Sequence, residues 1–180
     1  MNTKILLLVT LLFLGPVSSA NGQIGVTAGT EYGFGGIAQV GSHTARLEMG
    51  GGLVPLFVFW QIQGPFVEKN YFKLYFPGVV GAKLSIALTK SDRKDRLGLK
   101  LGASYNTITK VGFGGGVDYS IAKKSHRIVI SAGFMIYPDA YDELLDRLNE
   151  EEGTSYAKED VSAALVNFQP FVSLSLLFGK

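Results

Sequence analysis

Cysteine is absent from the 180-residue chain, which excludes disulfides, thiolate metal sites, cysteine nucleophiles and a lipid-carrying cysteine at an export junction. Histidine is nearly absent: His43 and His126 are the only two, and no Cys or His cluster supplies the three or four ligands of a zinc site. Charge of one sign is lacking too, since a formal net charge of +2 leaves no electrostatic footprint for nucleic acid. After residue 20 no run of about 20 apolar residues occurs, so that part of the chain holds no helical membrane span. What is plentiful is glycine, with 23 residues, beside 12 Phe and 8 Tyr. Glycine weakens an ordinary strand but suits barrel walls that bend sharply or leave room for interior side chains.

Lys4 precedes the apolar run Ile5 to Leu14, and the small residues Ser18 and Ala20 follow. That order predicts a secretory signal peptide over 1–20, cleaved after Ala20, with a single domain over 21–180.

Beyond it, period-two alternation recurs between turn signals. Residues 24–40 place Ile24, Val26, Ala28, Tyr32 and Phe34 on one face and Glu31 on the other; a break at Gly33 to Gly36 is the alternative reading. Residues 45–60 set Ala45, Leu47, Met49 and Leu53 against Arg46 and Glu48, with Pro55 as a bulge or change of register. From Tyr71 to Thr89 one parity is apolar, and Pro77-Gly78 splits the stretch into two strands. Leu97 to Tyr105, Val111 to Ile121 and Ile128 to Ile136 follow the same rule. The last segment opposes Val166, Phe168, Val172, Leu174, Leu176 and Phe178 to Asn167, Gln169, Ser173 and Ser175.

Exported strands that are apolar on one face predict an all-β, antiparallel up-and-down transmembrane β-barrel, closed because open sheet edges cannot face lipid. The split at Pro77 gives eight strands, an even number that puts both termini on the periplasmic side. A soluble lipocalin-like barrel is the opposite solution, with every strand turned round.

The connection 138–161 is the compositional outlier. It holds nine of the fifteen acids, and Tyr141, Leu144, Leu145 and Leu148 form a helical stripe between a capping Asp139 and Gly153. One short helix is expected there, folded over the barrel mouth on the extracellular side, with a partner or divalent-cation surface as the sharper alternative.

The inward parity collects Glu31, Arg46, Glu48, Lys83, Lys100 and Asp118, together with Lys73. Mixed charges in an eight-stranded lumen pair with one another and fill it, so a plugged barrel is expected rather than a pore. Catalytic, cofactor and metal residues are all read as none. A Ser-His pair at His43 or His126 would be needed for an acyl-transfer enzyme acting on lipid A. The clusters Gly33-Phe34-Gly35-Gly36 and Gly112 to Gly116 open no helix, so they read as bends in a wall and not as nucleotide loops. Tyr32, Phe72, Tyr105, Tyr119, Tyr137 and Phe178 lie near strand ends, the place of an interfacial aromatic girdle.

From Ile24 to Phe178 the chain resembles the small eight-stranded outer-membrane barrels, the OmpX-like and OmpA-like transmembrane domains, in its signal peptide, its alternating segments and its terminal strand. Where such families end on the aromatic, Gly179 and Lys180 follow Phe178 here. The resemblance implies a Gram-negative outer membrane, a surface or structural role, and contact with membrane lipid, lipopolysaccharide and the barrel-assembly machinery. It transfers no catalytic residue. A small porin and a lipid A-modifying enzyme are the alternative functions it leaves open.

Overall fold

The computed structural model describes residues 22–64, 67–90, 95–163 and 166–179; the expected signal peptide, 1–20, lies outside them. In chain order the strands are β1 (Gly22–Gly29), β2 (Phe34–Gly41), β3 (Ala45–Leu53), β4 (Leu56–Gly64), β5 (Val67–Tyr75), β6 (Gly78–Ala87), β7 (Asp95–Asn106), β8 (Lys110–Ala122) and β9 (His126–Ile136). Helix α1 (Ala140–Glu152), a 3-10 turn (Lys158–Asp160), β10 (Val161–Ala163) and β11 (Phe168–Phe178) complete the chain.

Eight of these strands close an antiparallel barrel in the order β1-β11-β9-β8-β7-β6-β3-β2. The seam pairs β1 with β11, Ile24 opposite Phe178 and Gly29 opposite Ser173, so the described chain ends, Gly22 and Gly179, lie at one mouth. Closure leaves no long open edge, and alternation sorts the side chains. On β7, Leu97, Leu99 and Leu101 are exposed outside while Arg96, Lys100 and Ser104 are buried inside. The polar side is therefore in and the apolar side out, the reverse of a lipocalin-like barrel.

The count of eight holds, but the eighth strand arises at a different break. Residues 24–40 do not run through; they are interrupted at 30–33, where Gly33 adopts φ 70° and a Cβ would stand 1.8 Å from the Leu53 carbonyl oxygen. Only glycine fits that left-handed, close-packed position. β1 and β2 are thus separate wall strands, as the alternative break had it. The segment from Tyr71, expected in the wall, leaves it instead. Val54 N–H donates to the Pro77 carbonyl at 3.1 Å as the last rung between β3 and β6. Pro55 and Pro77 cannot donate, so the ladder stops there and β4 pairs with β5 in a separate sheet of order β10-β4-β5.

This sheet and α1 form a cap at the mouth opposite the chain ends. The helix appears where its stripe predicts, and Leu144, Leu145 and Leu148 pack against Val58, Trp60 and Ile62 of β4 and against Ile108, Met135 and Tyr137 of the barrel rim. Each buried leucine stabilises this contact by about 1.5–3 kcal/mol. Asp139 makes no side-chain cap bond; Asn167 Oδ1 accepts from Tyr141 N–H at 2.9 Å in its place. Gly153 ends the helix in the left-handed region, at φ 63°.

Candidate functional site: the filled lumen and its cap

The interruption at 30–33 turns Glu31 into the lumen, where it is 4% exposed. Its Oε1 accepts from Lys83 Nζ at 2.5 Å and Lys100 Nζ at 3.0 Å, and its Oε2 from Ser173 Oγ at 2.7 Å. Lys100 also donates to Glu48 Oε1 at 2.5 Å and Ser131 Oγ at 3.2 Å, while Gln39 Nε2 donates to Glu48 Oε2 at 2.7 Å. The Lys83 ammonium lies 4.2 Å from the Phe171 ring centre and 5.1 Å from that of Tyr32. Two carboxylates and two ammoniums thus form one neutral, hydrogen-bonded layer across the barrel. A buried charge survives only in such company, because an unpaired one loses its hydration without recompense.

A second layer lies toward the chain ends. Arg96 Nη1 pairs with Asp118 Oδ2 at 2.9 Å, and Asp118 Oδ1 accepts from Ser85 Oγ at 2.6 Å. Arg96 Nη2 donates to the Ser85 carbonyl at 2.9 Å and its Nε to the His43 carbonyl at 2.7 Å. At the rim Arg46 reaches Ser120 Oγ at 3.4 Å and Arg127 reaches Gln23 Oε1 at 2.6 Å. On the cap side two tyrosines complete the filling. Tyr32 lies over Gly50, where a Cβ would sit 2.6 Å from the ring. Tyr137 lies over Gly112 at 2.5 Å, with its hydroxyl 2.8 Å from Ser104 Oγ. The two sites explain glycines inside strands by close approach of a ring.

Glu31, Arg46, Glu48, Lys83, Lys100 and Asp118 therefore all face the lumen as parity predicts. Lys73 does not. It lies on β5 in the cap and bonds Glu151 at 2.9 Å and Glu152 at 2.7 Å. Gln39, Ser131, Gln23 and Arg127 were not named from the sequence, and three larger lumen groups, Arg96, Tyr32 and Tyr137, were placed elsewhere. Arg96 falls beside a charged turn, although its parity with Lys100 on β7 marks it. Tyr32 and Tyr137, assigned to a girdle, are buried, because the breaks after Gly29 and Ile136 end the alternation that set their faces. Tyr105 and Tyr119 do lie on the outer surface.

Four of the nine acids of 138–161, Asp142, Glu143, Glu151 and Glu152, form ion pairs that hold the cap. Asp142 pairs with Lys158 at 2.5 Å, Glu143 with Lys110 at 3.1 Å, and Glu151 with Arg147 at 2.9 Å. Burial pulls the Lys73 ammonium down, but the hydrogen bonds of Glu152 and Glu151 outweigh it and hold it above the ordinary lysine value. For Glu151 desolvation acts upward, and the bonds from Lys73 and Arg147 overcome it, keeping the carboxyl below its ordinary value. Tyr141 Oη donates to the Val161 carbonyl and stacks edge-on with Trp60 at 6.1 Å.

Neither histidine ring joins a carboxylate among the described residues. Ser125 Oγ lies 3.2 Å from His126 Nδ1 in an exposed turn, and Ser42 Oγ accepts from the Thr44 and Ala45 amides instead of meeting His43. No group of three or more metal-binding side chains is present among the described residues. Comparison with known protein families, curated proteins and solved structures finds no match to this chain.

Proposed function

We propose that the chain is an integral outer-membrane barrel with a closed polar lumen, serving envelope structure or surface interaction through its cap. The observation that carries this reading is the inversion of polarity: Glu31, Glu48, Lys83, Arg96, Lys100 and Asp118 are buried, whereas Val26, Leu84, Leu101, Val117, Leu174 and their outward neighbours are exposed. In water that surface is an aggregation hazard; in hydrocarbon it is the low-energy face. The outward residues of β11 run from Phe168 to Phe178, which at about 3.3 Å per residue and about 40° of tilt spans roughly 25 Å, the height of a lipid-facing band. The barrel connections beside the chain ends are short, and both excursions lie at the other mouth, matching the periplasmic and extracellular ends of such proteins.

The lipid partners are then outer-membrane lipid and lipopolysaccharide, with the assembly machinery acting during biogenesis and an extracellular partner meeting the acidic face of 138–161. Two experiments test the reading. In planar bilayers the purified protein is silent, since paired side chains fill the lumen; steady unitary conductance contradicts a closed barrel. On intact cells, protease cuts within the cap at 138–161; protection there, with cleavage only after lysis, contradicts a surface role.

A further inference from the structure

The barrel wall is uneven on one side. β11 continues to Phe168, but β1 pairs with it only as far as Gly29 opposite Ser173, and the wall below ends in the turn at 30–33. Thr30 supplies the last bonds to Val172, and above it the β11 edge carries Pro170, which has no N–H to offer another strand. Across this notch stands β4. The opening is a groove of about 290 Å³ lined by Pro55, Phe57, Phe59, Phe72, Val166 and Pro170, with Thr30 and Gln169 as its polar edge and no charged side chain in its lining.

The outer face of the β4–β5 hairpin continues the outer face of the barrel. Leu47 and Leu53 on β3 share odd parity with Phe57 and Phe59, and Leu84 and Val80 on β6 share even parity with Phe76, Leu74 and Phe72; all are exposed. The apolar run then stops, with Gln61 and Gln63 on β4 and Asn70 on β5 continuing the same face. Phe57 and Phe72 lie 5.9 Å apart across the pair, on the sheet face opposite α1. A face made for water would not keep four phenylalanines in register with a lipid-facing wall and turn polar only beyond them.

We propose that this notch seats an acyl chain of an outer-leaflet membrane lipid, so that lipid contact rises above the rim onto the β4–β5 hairpin. The inference rests on the membrane reading above. Continuity with the barrel's apolar wall names lipid as the occupant, and the uncharged lining names the chain rather than the headgroup as the part bound. The groove is near the small end of the roughly 300–1,000 Å³ usual for ligand sites, so it takes part of one chain and leaves the rest in the bilayer.

Absence of cysteine makes the test clean. Single-cysteine variants Phe59→Cys and Phe72→Cys at the groove, Gln63→Cys beyond it and Leu99→Cys on the mid-wall are spin-labelled and reconstituted in phosphatidylcholine vesicles. Collision with oxygen and with a water-soluble nickel chelate is then read by electron paramagnetic resonance. The expected result is an oxygen-over-nickel preference at 59 and 72 that matches 99, with the preference reversed at 63. Nickel access at 59 and 72 like that at 63, while 99 stays in lipid, overturns the proposal and leaves the membrane reading standing. Nickel access at 99 sinks both. Low access to both reagents at 59 with dipolar broadening puts a second copy of the chain in the groove, which also overturns it.

Discussion

Glu31→Gln removes one negative charge from the lumen layer and almost no volume. The native layer holds Glu31 and Glu48 against Lys83 and Lys100, all four buried within the barrel. After substitution a single carboxylate faces two ammoniums, so one buried positive charge lacks a partner. Breaking a buried pair in this way costs about 3–5 kcal/mol. Lys83→Met added to Glu31→Gln restores neutrality, because Lys100 keeps Glu48, and replacing a buried pair outright is often close to neutral. The double variant is therefore expected to recover most of the loss, a coupling far larger than the few tenths of a kcal/mol by which independent sites deviate. Urea unfolding of the protein refolded in lipid vesicles, followed by far-ultraviolet circular dichroism, measures all four members of the cycle. An unchanged midpoint for Glu31→Gln, or a double variant less stable than the single one, refutes the account of the lumen.

Leu144→Ala opens space in the fully buried contact between α1 and β4, and is expected to cost about 2–5 kcal/mol. Because that contact lies in the cap, amide exchange over 140–152 should quicken while the wall strands keep their protection. Gly112→Ala drives a methyl group to 2.5 Å from the Tyr137 ring and should cost about 1–3 kcal/mol in the same urea assay. Gly36→Ala, where nothing lies within 4 Å, is its matched control and should leave the midpoint unmoved. The cap also carries a pH dependence. Glu151 titrates below its ordinary value in the folded cap, so its contribution is complete above the ordinary carboxylate range and is lost as pH falls through the lowered value. Amide exchange of α1 should accelerate in that acid window, and Lys73→Met should shrink the effect.

Much of the fold was legible because a barrel writes itself as parity. On β7 the alternation of Leu97, Leu99 and Leu101 with Lys100 and Ser104 sets inside from outside with no long-range information. Arg46, Glu48, Lys83, Lys100 and Asp118, named from parity, face inward for that reason, whereas Glu31 lies between β1 and β2 and is turned inward by the break at 30–33. Parity is silent about where a strand leaves one sheet for another. Phe72 and Leu74 have the same alternation in the cap hairpin as they would in the wall, so only Pro55 and Pro77 marked the exit. Tyr32 shows the complementary failure, since a left-handed Gly33 reorients the chain and sends an apparently outward ring inside. The long-range salt bridges of α1 were hidden for another reason. Lys73 and Lys110 are far from the acids in sequence, and only the packing of α1 against the hairpin and the start of β8 brings them together.

The central claim is that the exposed apolar wall lies in an outer membrane around a closed, filled barrel. Its most direct test is the migration of the unheated and heated protein, taken from a separated outer-membrane fraction, on a detergent gel. The account predicts recovery in that fraction and a shift in mobility on boiling, as the closed barrel unfolds. Recovery in the soluble periplasmic fraction, with one mobility before and after boiling, would contradict it.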